Sequence, residues 1–148
     1  MLADEKNPNL VSACLPVDYH AAREQLLCLL ELHQPITCLC TGLAAGEMFR
    51  LEQLARKPEQ FEDLEGAPLL TGQWEWDKVM QSFQAKNLPA YFSEDAGQYV
   101  CESTYWTLLD FSCRYGFPKN SAFLHVPPLS EDWSTKKIAT GIATMLEI

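Results

Sequence analysis

Apolar residues recur along this chain in short blocks that alternate between two periods. Ala22, Leu26, Leu29, Leu30 and His33 are spaced by four, three, one and three, which predicts one apolar face of a helix. Asp18 stands at the position of an N-cap, and Pro35 closes the element. Trp76, Val79, Met80 and Phe83 predict a second helix over 74–86, and residues 96–113 a long third. Ile138, Ile142, Met145 and Leu146 predict a fourth, capped by Ser134. Between these lie short apolar runs that read as strands: 36–41 (ITCLCT), 89–92 (PAYF) and 122–126 (AFLHV).

Other segments are less determined by their pattern. Residues 10–17 (LVSACLPV) read as a further strand, confined by Pro16 to its end or to a sheet edge. Residues 48–55 fit a strand or a short helix equally. Residues 56–73 are charged, contain Pro and Gly, and read as a surface excursion; residues 1–9 read as a loosely held polar start. No repeat or linker divides the chain, so 1–148 is expected to form one domain. Strands alternating with helices imply an α/β domain with a mainly parallel sheet. Chemistry in such sheets sits at the carboxyl ends of the strands. That points to the loops after residues 41, 92 and 126.

Composition narrows the functional classes. A formal charge of −9, with eleven basic residues scattered along 148, offers no cationic stripe for nucleic acid or an anionic membrane. No run is long enough to span a bilayer, and the first ten residues lack the basic start and apolar core of a signal peptide. The expected location is therefore the cytoplasm. Cysteines 14, 28, 38, 40, 101 and 113 mostly lie in apolar runs, which suits reduced thiols packed as small hydrophobes. Cys38 and Cys40 have no second ligand pair at zinc-like spacing, so no metal is expected. Gly42 and Gly46 lack the third glycine of a dinucleotide fingerprint, and Glu52 follows too soon to be its ribose acid. No cofactor is called for.

The chemistry-bearing residues are Cys101, His125 and Glu52. Cys101 follows a turn containing Asp95 and Gly97 and falls in the first turn of the long helix, where unpaired N–H groups and the helix dipole favour a thiolate. Position alone does not separate this role from that of another core cysteine. His125 ends its strand just before Pro127 and Pro128. An imidazole needs partners for both nitrogens, and one on the functional rim can pair with a helix-start thiol. Glu52, in FRLEQLA, sits among apolar neighbours, where a charge needs a partner; it is a candidate to fix the imidazole tautomer. Standing alone it would better suit the exposed face of a short helix.

Together these segments resemble the pyroglutamyl peptidase I family of cysteine peptidases. DAGQYVC with Tyr105 resembles the family's nucleophile segment, SAFLHVPPL its histidine segment and GLAAGEMFRLEQLA its Gly-rich loop and acidic segment. The likeness covers roughly residues 14–55 and 84–147. It implies a three-layer α/β/α domain of the phosphorylase/hydrolase-like kind. It also implies Cys101 as nucleophile, His125 as base, Glu52 as the orienting acid, and Gly42, Gly46 and Gly97 in the oxyanion and substrate loops. The implied activity is removal of N-terminal pyroglutamate from small peptides through a thioester. A relative acting on another amide (a deamidase or toxin-like amidase) and a non-catalytic binding homologue are the alternatives. Two departures stand out. The family's first strand and its aromatic pocket loop have no counterpart before LPV, and 55–72 does not reproduce the family's segment there. A sheet without that strand has an open edge, to be covered by residues 5–15 or by a second copy in a homo-oligomer.

Overall fold

The computed structural model describes residues 9–147; the polar start expected over 1–9 falls, but for Asn9, outside them. Four strands form one mixed sheet in the order β1 (Thr37–Leu43), β6 (Asn120–Val126), β2 (Phe49–Glu52), β5 (Ala90–Ser93). β1 runs parallel to β6, and β2 runs parallel to β5, but β2 and β6 are antiparallel. A two-stranded antiparallel ribbon, β3 (Leu54–Arg56) with β4 (Leu69–Thr71), adjoins the sheet. The segment left between strand and short helix at 48–55 is thus strand, interrupted at Gln53.

Alternation along the strands sorts the core into two layers, because successive side chains point to opposite faces. Phe49, Leu51, Ala122 and Leu124 face α2 (Trp76–Ala85) and α4 (Thr135–Leu146), packing with Val79, Phe83 and Met145. Gly141 of α4 lies directly on the Phe49 ring: a Cβ there would fall 2.2 Å from Phe49 Cζ. The other face carries Cys38, Cys40 and Phe123 and is covered by α1 (Tyr19–His33) and α3 (Val100–Tyr115) through Leu26, Leu30, Leu108 and Phe111. The result is the expected three-layer α/β/α sandwich. Both predicted caps form: Asp18 accepts from Ala21 N at 2.8 Å and Ser134 from Lys137 N at 3.1 Å.

Three expectations need correction. Residues 10–17 form no strand; they run irregularly into α1, and only Leu15 among them packs against the core clusters. β1 consequently lies at the sheet's edge, with only β6 beside it among the described residues, and is half-buried rather than buried. Residues 56–73 are largely exposed but not a mere excursion. A turn of 3-10 helix at Glu59–Phe61 sinks Phe61 beside Trp106, whose Nε1 donates to Ala67 O at 2.9 Å.

Candidate active site

Glu52 and His125 reach each other because β2 and β6 are antiparallel neighbours. Glu52 lies opposite Phe123 in the ladder and Arg50 lies opposite His125, so all four side chains share the face covered by α3. The carboxylate, with no exposed surface at all, takes His125 Nδ1 at 2.8 Å on Oε1. Arg50 Nε forms an ion pair with the same oxygen at 3.2 Å, but neither that Nε nor Oε2 has a hydrogen-bond partner among the described residues. Tyr105 of α3 donates to the backbone oxygen of Glu52 at 2.7 Å and fixes the strand beneath the carboxylate.

The antiparallel step also overturns the idea of a single rim. The carboxyl ends of β1 and β6 lie at one end of the sheet, and those of β2 and β5 at the other. Residues 94–99, leaving β5, therefore cross the face of the sheet before α3 begins. Asp95 turns this crossing by accepting from Gly97 N at 2.9 Å, and Tyr19 OH ties it to α1 by donating to Gln98 O at 2.9 Å. α3 then starts at Val100 and sets Cys101 in its first turn, partly exposed, above Gly42 and His125.

Gly42, paired with His125 across the β1–β6 ladder, makes this approach possible. A Cβ at Gly42 would lie 2.8 Å from Cys101 Sγ and 3.0 Å from the Phe123 ring, too close unless the sulfur moves. Gly46 (φ +116°) and Gly97 (φ +88°) instead supply backbone turns that other residues rarely adopt, and nothing crowds them. Of the three glycines singled out in the sequence, only Gly42 touches the sulfur.

His125 is 3% exposed, with Nδ1 on Glu52 and the Cys101 side chain beside its ring. With Nδ1 on Glu52, Nε2 is left for the Cys101 sulfur. Burial pulls the imidazole pKa down, but the hydrogen bonds to Cys101 and Glu52, with their charges, outweigh it and hold it above the ordinary 6.5. The nearby Glu102 carboxyl is pushed up by burial, although Arg56 N donates to it at 2.8 Å. Cys38 and Cys40 are neighbours on the same face of β1, where thiol-to-thiol hydrogen bonding lowers the Cys38 pKa and raises that of Cys40. All six cysteines are free thiols. No three His, Cys, Asp or Glu side chains among the described residues gather as a metal site would require.

The structure thus brings Glu52, His125, Cys101 and Gly42 to one place. It adds Arg50 and Tyr105, which sequence reasoning missed in these positions. Arg50 carried a usable signal, since residues i and i+2 of a strand share a face and Glu52 was already a candidate.

Known proteins resemble this chain in sequence and fold. The model of the pyroglutamyl peptidase family matches residues 58–147, a span that holds Cys101 and His125. A pyrrolidone-carboxylate peptidase of Pyrococcus furiosus is 31% identical over 132 residues, covering 79% of this chain and 64% of that protein. A human pyroglutamyl-peptidase 1-like protein is 28% identical over 160 aligned residues, 99% of this chain and 79% of its own length. The chain thus spans just under two thirds of the archaeal relative. A crystal structure of pyrrolidone carboxyl peptidase from Pyrococcus furiosus shares the fold, with a TM-score of 0.80 at 24% identity, over 90% of this chain and 77% of that one. With the family's own model matching more than half of its length, this chain belongs to the pyroglutamyl peptidase family.

Proposed function

We propose that this chain is a cysteine peptidase that removes N-terminal pyroglutamate from peptides, with Cys101 as nucleophile, His125 as proton carrier and Glu52 as the orienting acid. The observation that carries the reading is the buried Glu52–His125 hydrogen bond with the Cys101 sulfur set against Gly42, the ladder partner of His125. Glu52 accepts Nδ1–H, which leaves Nε2 free to take the thiol proton. The thiolate attacks the pyroglutamyl carbonyl carbon. The electron pair moves onto oxygen, where first-turn N–H groups of α3 and the backbone beside Gly42 face the developing charge. Collapse of this intermediate breaks the C–N bond as His125 gives its proton to the leaving amine, and a thioester remains on Cys101. Water, deprotonated by His125, then releases pyroglutamate and restores the thiol.

The relatives' names support pyroglutamyl specificity, and the burial of the Glu52–His125 pair supports a group kept dry and fixed for one task. The test is release of aminocoumarin from a pyroglutamyl amide. We expect turnover in the wild-type protein and none in Cys101→Ala. A folded wild-type protein inert toward this substrate, or a fully active Cys101→Ala, would overturn the proposal.

A further inference from the structure

We infer that Arg50 is a positioning residue that couples the acid to the nucleophile's loop, holding Glu52 and the 93–97 turn in one rigid unit. Three observations converge on it. Arg50 is two residues before Glu52 on the same strand face and lies directly opposite His125 in the antiparallel ladder. Its Nε lies 3.2 Å from Glu52 Oε1, the oxygen that also takes His125 Nδ1. Its Nη2 donates to Asp95 O and lies 3.5 Å from Ser93 Oγ, at the turn from which the chain crosses to Cys101.

The planar guanidinium can face two directions at once, and an ammonium cannot. The Nε side lies at ion-pair distance from the carboxylate, without a hydrogen bond, while the Nη2 side donates to the loop. Ser93 Oγ and Asp95 close a local ring at 3.2 Å, and Asp95 passes the constraint on to Gly97 N at 2.9 Å. Arg56 supports the same turn from β3 by donating to Glu94 O at 3.1 Å. Arg50 is only 22% exposed, so its charge acts on Glu52 with little screening.

That charge has a second effect. Arg50 competes with the imidazolium for one carboxylate oxygen, so it restrains the gain in His125 basicity that Glu52 provides. The charged and titratable groups gathered around the pair are Cys101, Glu102 and Tyr105 of α3, Cys40 of β1, Arg50 of β2 and Asp95 of the crossing loop. Among the described residues, Arg50 is the permanent cation within ion-pair distance of Glu52.

The inference rests on the proposed roles of Glu52, His125 and Cys101, so its test uses no substrate. The His125 ring is titrated by NMR, and Cys101 is alkylated by iodoacetamide, in the wild type, Arg50→Met and Arg50→Lys. Arg50→Met should raise the His125 midpoint, by roughly two pH units for a cation that shares the carboxylate oxygen at an effective dielectric of about 20. Arg50→Lys should keep the midpoint near the wild-type value but slow Cys101 alkylation several-fold, because the second arm of the fork is gone. If Arg50→Met does not fold, the Arg50→Lys pair of readings decides alone. An unchanged His125 midpoint in folded Arg50→Met, or wild-type alkylation in Arg50→Lys, would overturn the inference. A protein that hydrolyses no pyroglutamyl amide yet shows these Arg50 effects would refute the proposed activity and leave the coupling standing.

Discussion

Replacing Glu52 with Gln tests the site at its most buried point. The substitution keeps the shape and one acceptor oxygen but removes the charge that Oε1 presents to His125 Nδ1 at 2.8 Å. A hydrogen bond to a charged partner contributes about 1.5–3 kcal/mol, against about 1 kcal/mol for a neutral one. If that difference, about 0.5–2 kcal/mol, stabilises the imidazolium in the transition state, kcat/KM should fall roughly 2- to 30-fold. The pH profile should move as well. Burial draws the imidazole pKa down, and Glu52 is one of the two groups that lift it back above 6.5. Without the carboxylate charge, imidazolium is lost at lower pH, so the alkaline limb of kcat/KM shifts toward acid. The assay is hydrolysis of a fluorogenic pyroglutamyl amide across pH 5–10, with far-UV circular dichroism to confirm folding. Rates within about two-fold of wild type and an unmoved alkaline limb would refute the reasoning, because a charge removed from this contact must alter the ring it holds.

Three further outcomes follow from the same contacts. Gly42→Ala places a Cβ 2.8 Å from Cys101 Sγ, so the sulfur must swing off the imidazole; iodoacetamide should label Cys101 more slowly, at a stability cost of about 1–3 kcal/mol in urea. Tyr105→Phe removes the 2.7 Å bond to Glu52 O in a fully buried setting. It should cost about 1–3 kcal/mol by urea unfolding, and an unchanged midpoint would show that the bond contributes nothing. The raised His125 pKa sets the sign of a stability effect. Its contribution is present in full below the unfolded value of about 6.5 and is lost as pH rises through the folded value. The urea midpoint should therefore decline as pH rises from about 6.5 through the folded value and level off above it, and His125→Gln should abolish this component; a decline that persists in the variant contradicts the assignment.

Much of the fold could be read locally. Asp18 and Ser134 cap their helices because a short polar side chain before a helical period has one obvious bond to make. The 3.6-residue faces of α1, α2 and α4 led to Ala22, Leu26, Leu30, Val79, Phe83 and Met145, all buried. Strands were less legible where pairing decides. Residues 10–17 have the composition of a strand but no partner strand, and a lone strand leaves its backbone groups unpaired. The reversal between β2 and β6 leaves no trace in either segment, since both read as short apolar runs whichever way they lie. The site suffered from the same limit. Cys101, His125 and Glu52 could be nominated from helix start, strand end and an apolar setting, but the route joining them crosses the sheet face. Arg50 was overlooked because its role depends on which residue lies opposite it in another strand.

The central claim is that the sulfur of Cys101 carries the acyl group. A pyroglutamyl aryl ester, whose good leaving group makes deacylation the slow step, can be mixed with the protein and quenched in acid within its first turnovers. Mass spectrometry of the digested protein should find one pyroglutamyl group on the peptide holding Cys101, and none in His125→Ala. Acyl label on another of the six cysteines, or on none of them while the ester is being hydrolysed, would contradict the account.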